Sequence, residues 1–537
     1  MAKVKYTHTL ERGDQVEVNV ESLANGGDGV AKIDSIPVFI ERAAQGDRLA
    51  VHLFDVRKDF ARGAIEEIVK PSPERVQAPC FHYERCGGCQ WQHIDYAHQL
   101  QHKERLVVDA LGHIGGFANA KELVQQIVGC DDPFHYRNKV QFPVKYKNTQ
   151  VLAGYYERGS HDLVNIDACP IQPSIMDELL KTTKMLFKKY RISIYDEERH
   201  RGMVRHLNFR MSFATGKILV TIVVNHAPIK IKEFNNIDYL HAFTTLGEEL
   251  AHLHSEVESV VVNFNQDKGN RILGEHTITL VGNGYIEEKL ATKRADLPQK
   301  LQEGLRFRLS SKSFFQVNSL QAVKLLEYIA AAAKEDLAGS EKPVVVDAYA
   351  GVGSIAMWLS PLADEVIAIE EVGDAITDGE ENAALNNLTN VSFVEGRVEQ
   401  SLAVLMVEKK RENKNIDLIV LDPPRKGIDP NILALINERG PKHIIYVSCN
   451  PATLARDLKI LCQTTENGEN SSMGGYKLKR VQPVDLFPQT YHVESVALAK
   501  PTSSSLSQID TTANEFSKAR TIKSGSRRLQ PTEAHSS

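Results

Sequence analysis

The spacing of apolar and polar positions divides the chain into three regimes. From Thr9 to Lys70 the apolar residues fall in short β-like runs, 15–20, 36–40, 48–54 and 60–68, separated by turns such as Asn25-Gly-Gly-Asp-Gly. Four or five short strands in so few residues predict a small OB-like β-barrel, assigned to residues 9–70. Residues 71–320 mix two periods: helical spacing over 99–114 and 175–190, strand-like runs over 138–145 and 154–156, and a hairpin over 205–225 around Ala214-Thr-Gly. This predicts a central α+β domain. A helix over 320–333, with Asn318 or Ser319 as N-cap, opens the last regime. Residues 321–500 then alternate strands (344–347, 365–370, 391–394, 416–421, 443–447) with helices beginning near Gly353, Asp374, Glu399, Asn431 and Ala452, and a final strand starts near His492. That alternation predicts an α/β, Rossmann-like doubly wound sheet with its site along the strand carboxyl ends.

Composition adds little to this outline. A chain of 537 residues with 42% apolar residues, 25% charged residues and a formal charge of −5 is an ordinary globular multidomain protein. No apolar run approaches the ~20 residues needed to span a bilayer, and the N-terminus lacks a signal-peptide core, so a cytoplasmic protein with no membrane partner and no evident obligate protein partner is expected. Residues 461–475 are polar and Gly/Ser/Asn-rich, as a surface loop would be, and 501–537 form a Ser/Thr-rich basic stretch expected to be a disordered tail.

The candidate chemistry gathers at strand ends. Cys449 lies between the 443–447 strand and the next helix, where a thiol faces ligand and a helix N-terminus is expected to favour its thiolate. In Asp347-Ala-Tyr-Ala-Gly-Val-Gly-Ser, Gly351 and Gly353 let backbone approach a ligand, and Glu370 about twenty residues on is placed to accept from ribose hydroxyls. The turn alone does not separate NAD, FAD and S-adenosylmethionine. Two prolines in Leu421-Asp-Pro-Pro-Arg hold Asp422 at the rim beside Cys449. Glu494, among apolar residues, is a carboxylate whose pKa burial can raise toward useful basicity. Gln316, beside Phe314 and Phe315, could hold a ligand's polar edge or simply belong to a capping loop.

Seven cysteines form an odd, unevenly spaced set. Cys80, Cys86 and Cys89, at spacings of six and three with two glycines between the last pair, can converge on one metal centre, and Cys169 could close it. Four thiolates fit zinc or an iron-sulfur cluster, and spacing does not choose. Cys130 and Cys462 are read as structural. In His135-Tyr-Arg-Asn-Lys-Val-Gln-Phe, Tyr136, Arg137 and Lys139 suit base stacking and phosphate contact, and equally a solvated strand.

Several of these stretches together carry a resemblance. Glu11-Arg-Gly-Asp, Gly26-Gly-Asp-Gly-Val-Ala, Pro37-Val-Phe-Ile and Gly46-Asp resemble a TRAM domain. The glycine turn, Asp422-Pro-Pro-Arg, Ser448-Cys-Asn-Pro-Ala-Thr-Leu-Ala-Arg-Asp and Phe487-Pro-Gln-Thr-Tyr-His-Val-Glu are similar to signatures of the TrmA/RumA-type RNA uracil-5-methyltransferases. The resemblance covers residues 9–500 and has one departure, Ala350 where the family often has Cys. It implies S-adenosyl-L-methionine as donor, with Gln316, Tyr349, Gly351, Glu370 and Asp422 lining its pocket. It also implies a 4Fe-4S cluster on Cys80, Cys86, Cys89 and Cys169, Cys449 as nucleophile toward carbon 6 of uracil, and Glu494 as the base that removes the carbon 5 proton. The implied partner is RNA, with 23S ribosomal RNA favoured and transfer RNA possible. The competing readings are an amino-group methyltransferase, in which Cys449 and Glu494 would be idle, and a non-catalytic RNA-binding or RNA-folding module, which would not need that set complete.

Overall fold

The computed structural model describes residues 10–226, 238–462 and 475–502. Most of the stretch read as a surface loop and nearly all of that read as a tail, residues 463–474 and 503–537, lie outside the described residues. The N-terminal strands are β1 (Gln15–Asn19), β2 (Ser22–Leu23), β3 (Gly29–Ile33), β4 (Ile36–Ile40), β5 (Arg48–Val56) and β6 (Ala61–Lys70), in the order β1-β5-β6-β4-β3-β2. Alternation places Leu49, Val51 and Leu53 on one face of β5, all fully buried with Val38 and Ile40. The sheet has six strands where four or five are expected, because β2 is two residues long and β3 begins at Gly29 in a Gly-rich stretch without a clear apolar run.

The middle of the chain contributes α1 (Tyr96–His113), α2 (Ala120–Leu123), β7 (Lys139–Lys147), β8 (Gln150–Tyr156), β9 (Leu163–Asn165), α3 (Ser174–Lys189), β10 (Val204–Met211), β11 (Ile218–Val224), α4 (Tyr239–Leu253), β12 (Val257–Phe264) and β13 (His276–Val281). These strands form one sheet, β13-β12-β11-β10-β7-β8-β9, parallel only between β11 and β12. The amphipathic α3 and α4 cover one face, packing Leu179, Phe187, Phe243 and Leu246 onto Val140, Phe142, Leu207 and Phe209. The predicted hairpin is β10 and β11.

A hairpin of β14 (Tyr285–Leu290) and β15 (Leu305–Ser310), with α5 (Gln299–Glu303) between them, leads into α6 (Ser319–Leu337), whose N-cap Asn318 accepts from the Gln321 amide. Then follow β16 (Val344–Ala348), α7 (Ser354–Leu359), β17 (Glu365–Glu370), α8 (Gly373–Leu385), β18 (Val391–Glu395), α9 (Val398–Arg411), β19 (Leu418–Leu421), α10 (Pro430–Arg439), β20 (His443–Ser448), α11 (Pro451–Cys462), β21 (Tyr476–Val484) and β22 (Glu494–Pro501). The sheet order is β18-β17-β16-β19-β20-β22-β21, with the first five strands parallel and β22 antiparallel to both neighbours. The chain turns to opposite sides of β16, which opens a ligand crevice at the carboxyl ends of β16 and β19.

Packing does not follow the sequence division at residue 320. Leu290, Leu305, Phe307 and Leu309 of the β14–β15 hairpin share a core with α6 and the parallel sheet, and Val107 and Leu111 of α1 share the core on its other face. The α1 helix also makes the main polar tie between regions. Lys103 is fully buried; its Nζ donates to Asp485 Oδ1 at 2.6 Å and to the Phe487 carbonyl at 3.0 Å. Tyr96 donates to the other Asp485 oxygen at 2.9 Å, and Gln99 exchanges hydrogen bonds with Gln489.

Removing one partner of a buried ion pair strands the other charge. Lys103→Met is therefore expected to cost about 3–5 kcal/mol of stability, and the double variant Lys103→Met/Asp485→Leu less than the sum of the two single changes, as read from urea denaturation curves.

Candidate active site

The turn after β16 is built for close ligand approach. Tyr349, Gly351 and Gly353 have φ of 65°, 56° and 71°. At Gly353 a Cβ would stand 2.7 Å from the Phe393 ring, so the position admits only glycine. Tyr349 is a non-glycine residue in left-handed backbone, a conformation that concentrates at functional sites. The turn is tied down from two sides. The Ala356 amide donates to Asp347 Oδ2, and the Gly351 amide donates to Glu370 Oε2, both at 2.8 Å. Glu370 Oε1 accepts from the amides of Glu371 and Val372, so backbone takes three of the roughly four acceptor positions of the carboxylate.

Tyr349, Gly351, Glu370 and Asp422 line a cavity of about 740 Å³ that extends across to Gln141 and Lys312. A smaller space of about 50 Å³ shares Phe314, Tyr349, Gly351 and Asp422 with it and adds Gln316. The five residues expected in a donor pocket thus line two adjoining cavities, the larger of a size suited to a nucleoside cofactor.

Beside this cavity the ends of three strands meet. Asp422 follows β19, Cys449 follows β20, and Glu494 begins β22; Ser448 pairs with Ser495, so Cys449 and Glu494 are brought together where that antiparallel ladder ends. The loop carrying Asp422 is anchored at its far end by buried Asp457, whose Oδ2 accepts from the Ile428 amide at 2.9 Å and from the Tyr446 hydroxyl at 2.7 Å. Burial, with the Asp422 charge, pushes Glu494 up to about 8, and burial pushes Asp422 up to about 7.

The expectation of a helix-favoured thiolate is corrected here. Burial, then the carboxylates of Glu494 and Asp422, push the Cys449 thiol up to about 11, and the cation opposing them is Arg425, which also hydrogen-bonds the sulfur. Desolvation and two nearby acids outweigh the dipole of α11. Arg425 belongs to the Asp-Pro-Pro-Arg stretch, but sequence reasoning assigned it no role. The signal lay in the motif itself, a guanidinium three residues from Asp422.

The other cysteines also converge. Cys80, Cys86, Cys89 and Cys169 line a second cavity, of about 380 Å³, together with Arg137. Gly87 lies against the backbone of Tyr156 and Arg158, where a Cβ would meet atoms at 3.0–3.2 Å, and the Gly88 amide donates to Cys86 Sγ at 3.4 Å. Half-buried Arg137 has no hydrogen-bond partner on Nε. An all-sulfur donor set, an amide aimed at sulfur and an unspent guanidinium fit an anionic sulfur-ligated centre. Among the described residues, however, no group of three or more His, Cys, Asp or Glu side chains is arranged to hold a metal ion. Burial instead raises all four thiols, Cys89 to about 12. Cys462 is buried, and half-buried Cys130 donates to the Asp132 carbonyl at 2.9 Å.

The reading of residues 135–142 as an RNA-contact strand is corrected in part. Tyr136 is 2% exposed and donates to the Pro488 carbonyl, so it offers no ring for stacking. Arg137 faces the cysteine cavity instead of solvent.

Comparison with known proteins decides the family. The family described as tRNA (Uracil-5-)-methyltransferase matches residues 95–501, and the TRAM domain matches residues 9–65. The chain belongs to the tRNA (uracil-5-)-methyltransferase family. It is an S-adenosylmethionine-dependent RNA (uracil-5-)-methyltransferase with an N-terminal TRAM domain and a C-terminal methyltransferase-fold domain. It is 38% identical to an uncharacterized RNA methyltransferase of Bacillus cereus over 92% of this chain and 98% of that protein. It is 39% identical to one of Gloeobacter violaceus over 91% and 97%. Among solved structures it is similar to the Pyrococcus abyssi tRNA (uracil-54, C5)-methyltransferase in complex with S-adenosyl-L-homocysteine, with TM-score 0.64 and 25% identity over 90% of this chain and 100% of that one. No helix among the described residues is long and apolar enough to cross a membrane.

Alkylation tests the electrostatics around this methyltransferase's Cys449. In the ligand-free protein, iodoacetamide is expected to modify Cys449 at pH 8 at least tenfold more slowly than a free peptide thiol, with the rate climbing toward pH 11. Arg425→Leu should slow it further, as followed by mass spectrometry of the Cys449 peptide.

Proposed function

We propose that this enzyme methylates carbon 5 of a uridine in ribosomal RNA through a covalent cysteine adduct. The observation that carries this reading is the meeting of Cys449, Glu494 and Asp422 at three neighbouring strand ends beside the cavity lined by Tyr349, Gly351 and Glu370. Carbon 5 of uracil is a poor nucleophile. Addition of the Cys449 thiolate to carbon 6 moves the ring's π electrons onto the carbonyl oxygen as an enolate, and Arg425 favours the thiolate that begins the step. The enolate then forms the new bond from carbon 5 to the donor methyl, and the sulfonium leaves as the neutral thioether S-adenosylhomocysteine. Glu494, as carboxylate, takes the carbon 5 proton. The electrons of that bond restore the ring double bond and expel the thiolate. A carboxyl raised to about 8 is basic enough for this task and still partly ionised near neutral pH.

Asp422, at the junction of the two half-sites, hydrogen-bonds the pyrimidine and helps position the donor, whose ribose meets Glu370. The target uridine leaves its stack to reach these residues. Cys80, Cys86, Cys89 and Cys169 would hold a 4Fe-4S cluster in the second cavity; its part would be structural, and no step of methyl transfer runs through it. The ribosomal assignment is supported by the resemblance of the TRAM and four-cysteine combination to the ribosomal branch of the family. The similar Pyrococcus abyssi protein, a tRNA (uracil-54, C5)-methyltransferase, points the other way.

Cys449→Ala is expected to abolish methyl transfer while donor binding stays within about twofold, and turnover in that variant would exclude covalent catalysis. Glu494→Gln should accumulate an RNA adduct that survives a denaturing gel. Anaerobically purified protein is expected to contain four iron and four labile sulfide per chain; stoichiometric zinc without sulfide removes the cluster. Mapping 5-methyluridine in cells with and without the gene should show its loss from ribosomal RNA, and loss confined to transfer RNA overturns the target.

A further inference from the structure

On β10, alternation sends Leu207 and Phe209 into the core under α3 and α4 and turns His206, Asn208 and Arg210 to the opposite face. On β7, Asn208 stands opposite Gln141 and Arg210 opposite Lys139, so these side chains share that face. It is unusually poor in partners. Asn208 and Arg210 are each 4% exposed, yet both amide atoms of Asn208, Nε and Nη1 of Arg210 and Nδ1 of His206 are buried without a hydrogen bond. Buried polar groups are costly to leave unpaired, and native structures rarely cluster them without a ligand or water to satisfy them. Nη2 of Arg210 donates to the Ser313 carbonyl at 2.5 Å. Gln141, from the same face, and Ser313 both line the 740 Å³ cavity.

The charges on this face are not balanced either. Burial and the Arg210 guanidinium push half-buried Lys139 down to about 7, with no acid opposing them. Asp378 acts on Arg210 but is itself held by the hydroxyls of Ser310 and Ser313. A guanidinium and an amine that an anion would hold protonated, beside an amide with both its donor and its acceptor free, call for an anion next to a group that can donate and accept. A ribose-phosphate offers both. A phosphodiester oxygen accepts from Lys139 and Arg210, and the 2′-hydroxyl, present in RNA and absent from DNA, can satisfy both ends of Asn208.

We infer that Lys139, Asn208 and Arg210 form a ribose-phosphate subsite for the RNA strand entering the cavity, separate from the residues that hold the donor. The inference rests on RNA being the substrate. Binding is measured by fluorescence anisotropy with a labelled uridine-rich oligoribonucleotide of about ten nucleotides, on full-length protein. Lys139→Met, which keeps the chain's bulk, is expected to weaken binding about tenfold at 0.1 M salt and to reduce the slope of log affinity against log salt by about one. A methylphosphonate oligomer should bind wild type weakly and lose nothing further with Lys139→Met. Asn208→Leu should narrow the preference for ribose over 2′-deoxyribose oligomers.

Donor affinity, titrated separately, is expected to stay within twofold in both variants. Oligomer binding within twofold of wild type in Lys139→Met overturns the subsite, as do water alone satisfying these groups, seen as unchanged ribose preference in Asn208→Leu, and a loss of donor affinity, which would make the bound anion the donor's carboxylate. Failure of wild type to methylate RNA bears on the proposed function alone, since the binding comparison does not need turnover.

Discussion

The Lys103–Asp485 pair is the constraint on which the arrangement of the site depends. A lysine with no exposed surface is tolerable only with its charge answered, and Asp485 does this while the Phe487 carbonyl takes a second N–H. Asp485 lies between β21 and β22, in the loop that ends at Glu494. The loop is further held by Tyr96, by the exchange between Gln99 and Gln489, and by Tyr136 on the Pro488 carbonyl, all reached from the middle of the chain. Glu494 is thus positioned by a helix almost four hundred residues earlier. The middle of the chain and the chemical site are tied together by these bonds.

The same loop lines the cysteine cavity and leads into the strand that begins at Glu494. Phe487, Thr490, Tyr491 and His492 line the space around the four cysteines, and Glu494 lies beside Cys449. Arg425 faces both, lining the cysteine cavity while opposing the charges around Cys449. This gives the cysteine loop a mechanical role. Its residues Gln90 and Trp91 donate from their amides to the Gln489 carbonyl, and Trp91 Nε1 donates to Gly27 in the TRAM domain at 3.0 Å. These bonds join the cysteine loop to the TRAM domain on one side and to the active-site loop on the other.

What was legible in the sequence was whatever local spacing determines. The 365–370 strand, the turn with Gly351 and Gly353, and a helix cap at Asn318 or Ser319 follow from runs and turn residues, and the structure has the strand and turn there, with Asn318 as the cap. What escaped was set by contacts between distant segments. Tyr136 and Arg137 look like surface residues until Pro488 and the cysteine cavity are brought against them. The β14–β15 hairpin reads as part of the central region because nothing local says that Leu305 and Phe307 will pack beneath α6. The state of Cys449 was misjudged for the same reason. The helix dipole is visible in sequence, but the burial and the two carboxylates that outweigh it arrive from β19 and β22.

Those carboxylates also explain why the site needs its ligands. In the free protein Asp347, Asp422 and Glu494 are all raised, to about 8, 7 and 8, chiefly by burial. For a carboxyl raised on folding, the stabilising contribution is complete below its unfolded pKa near 4 and is lost as pH rises through the folded value. At neutral pH these acids therefore contribute less to stability than they do at acid pH, because burial disfavours their charged forms, and Arg425 opposes this at Glu494. In the proposed reaction a sulfonium bound beside Asp422 would act on both carboxyls directly, lowering the pKa of each and so favouring the ionised form of Glu494.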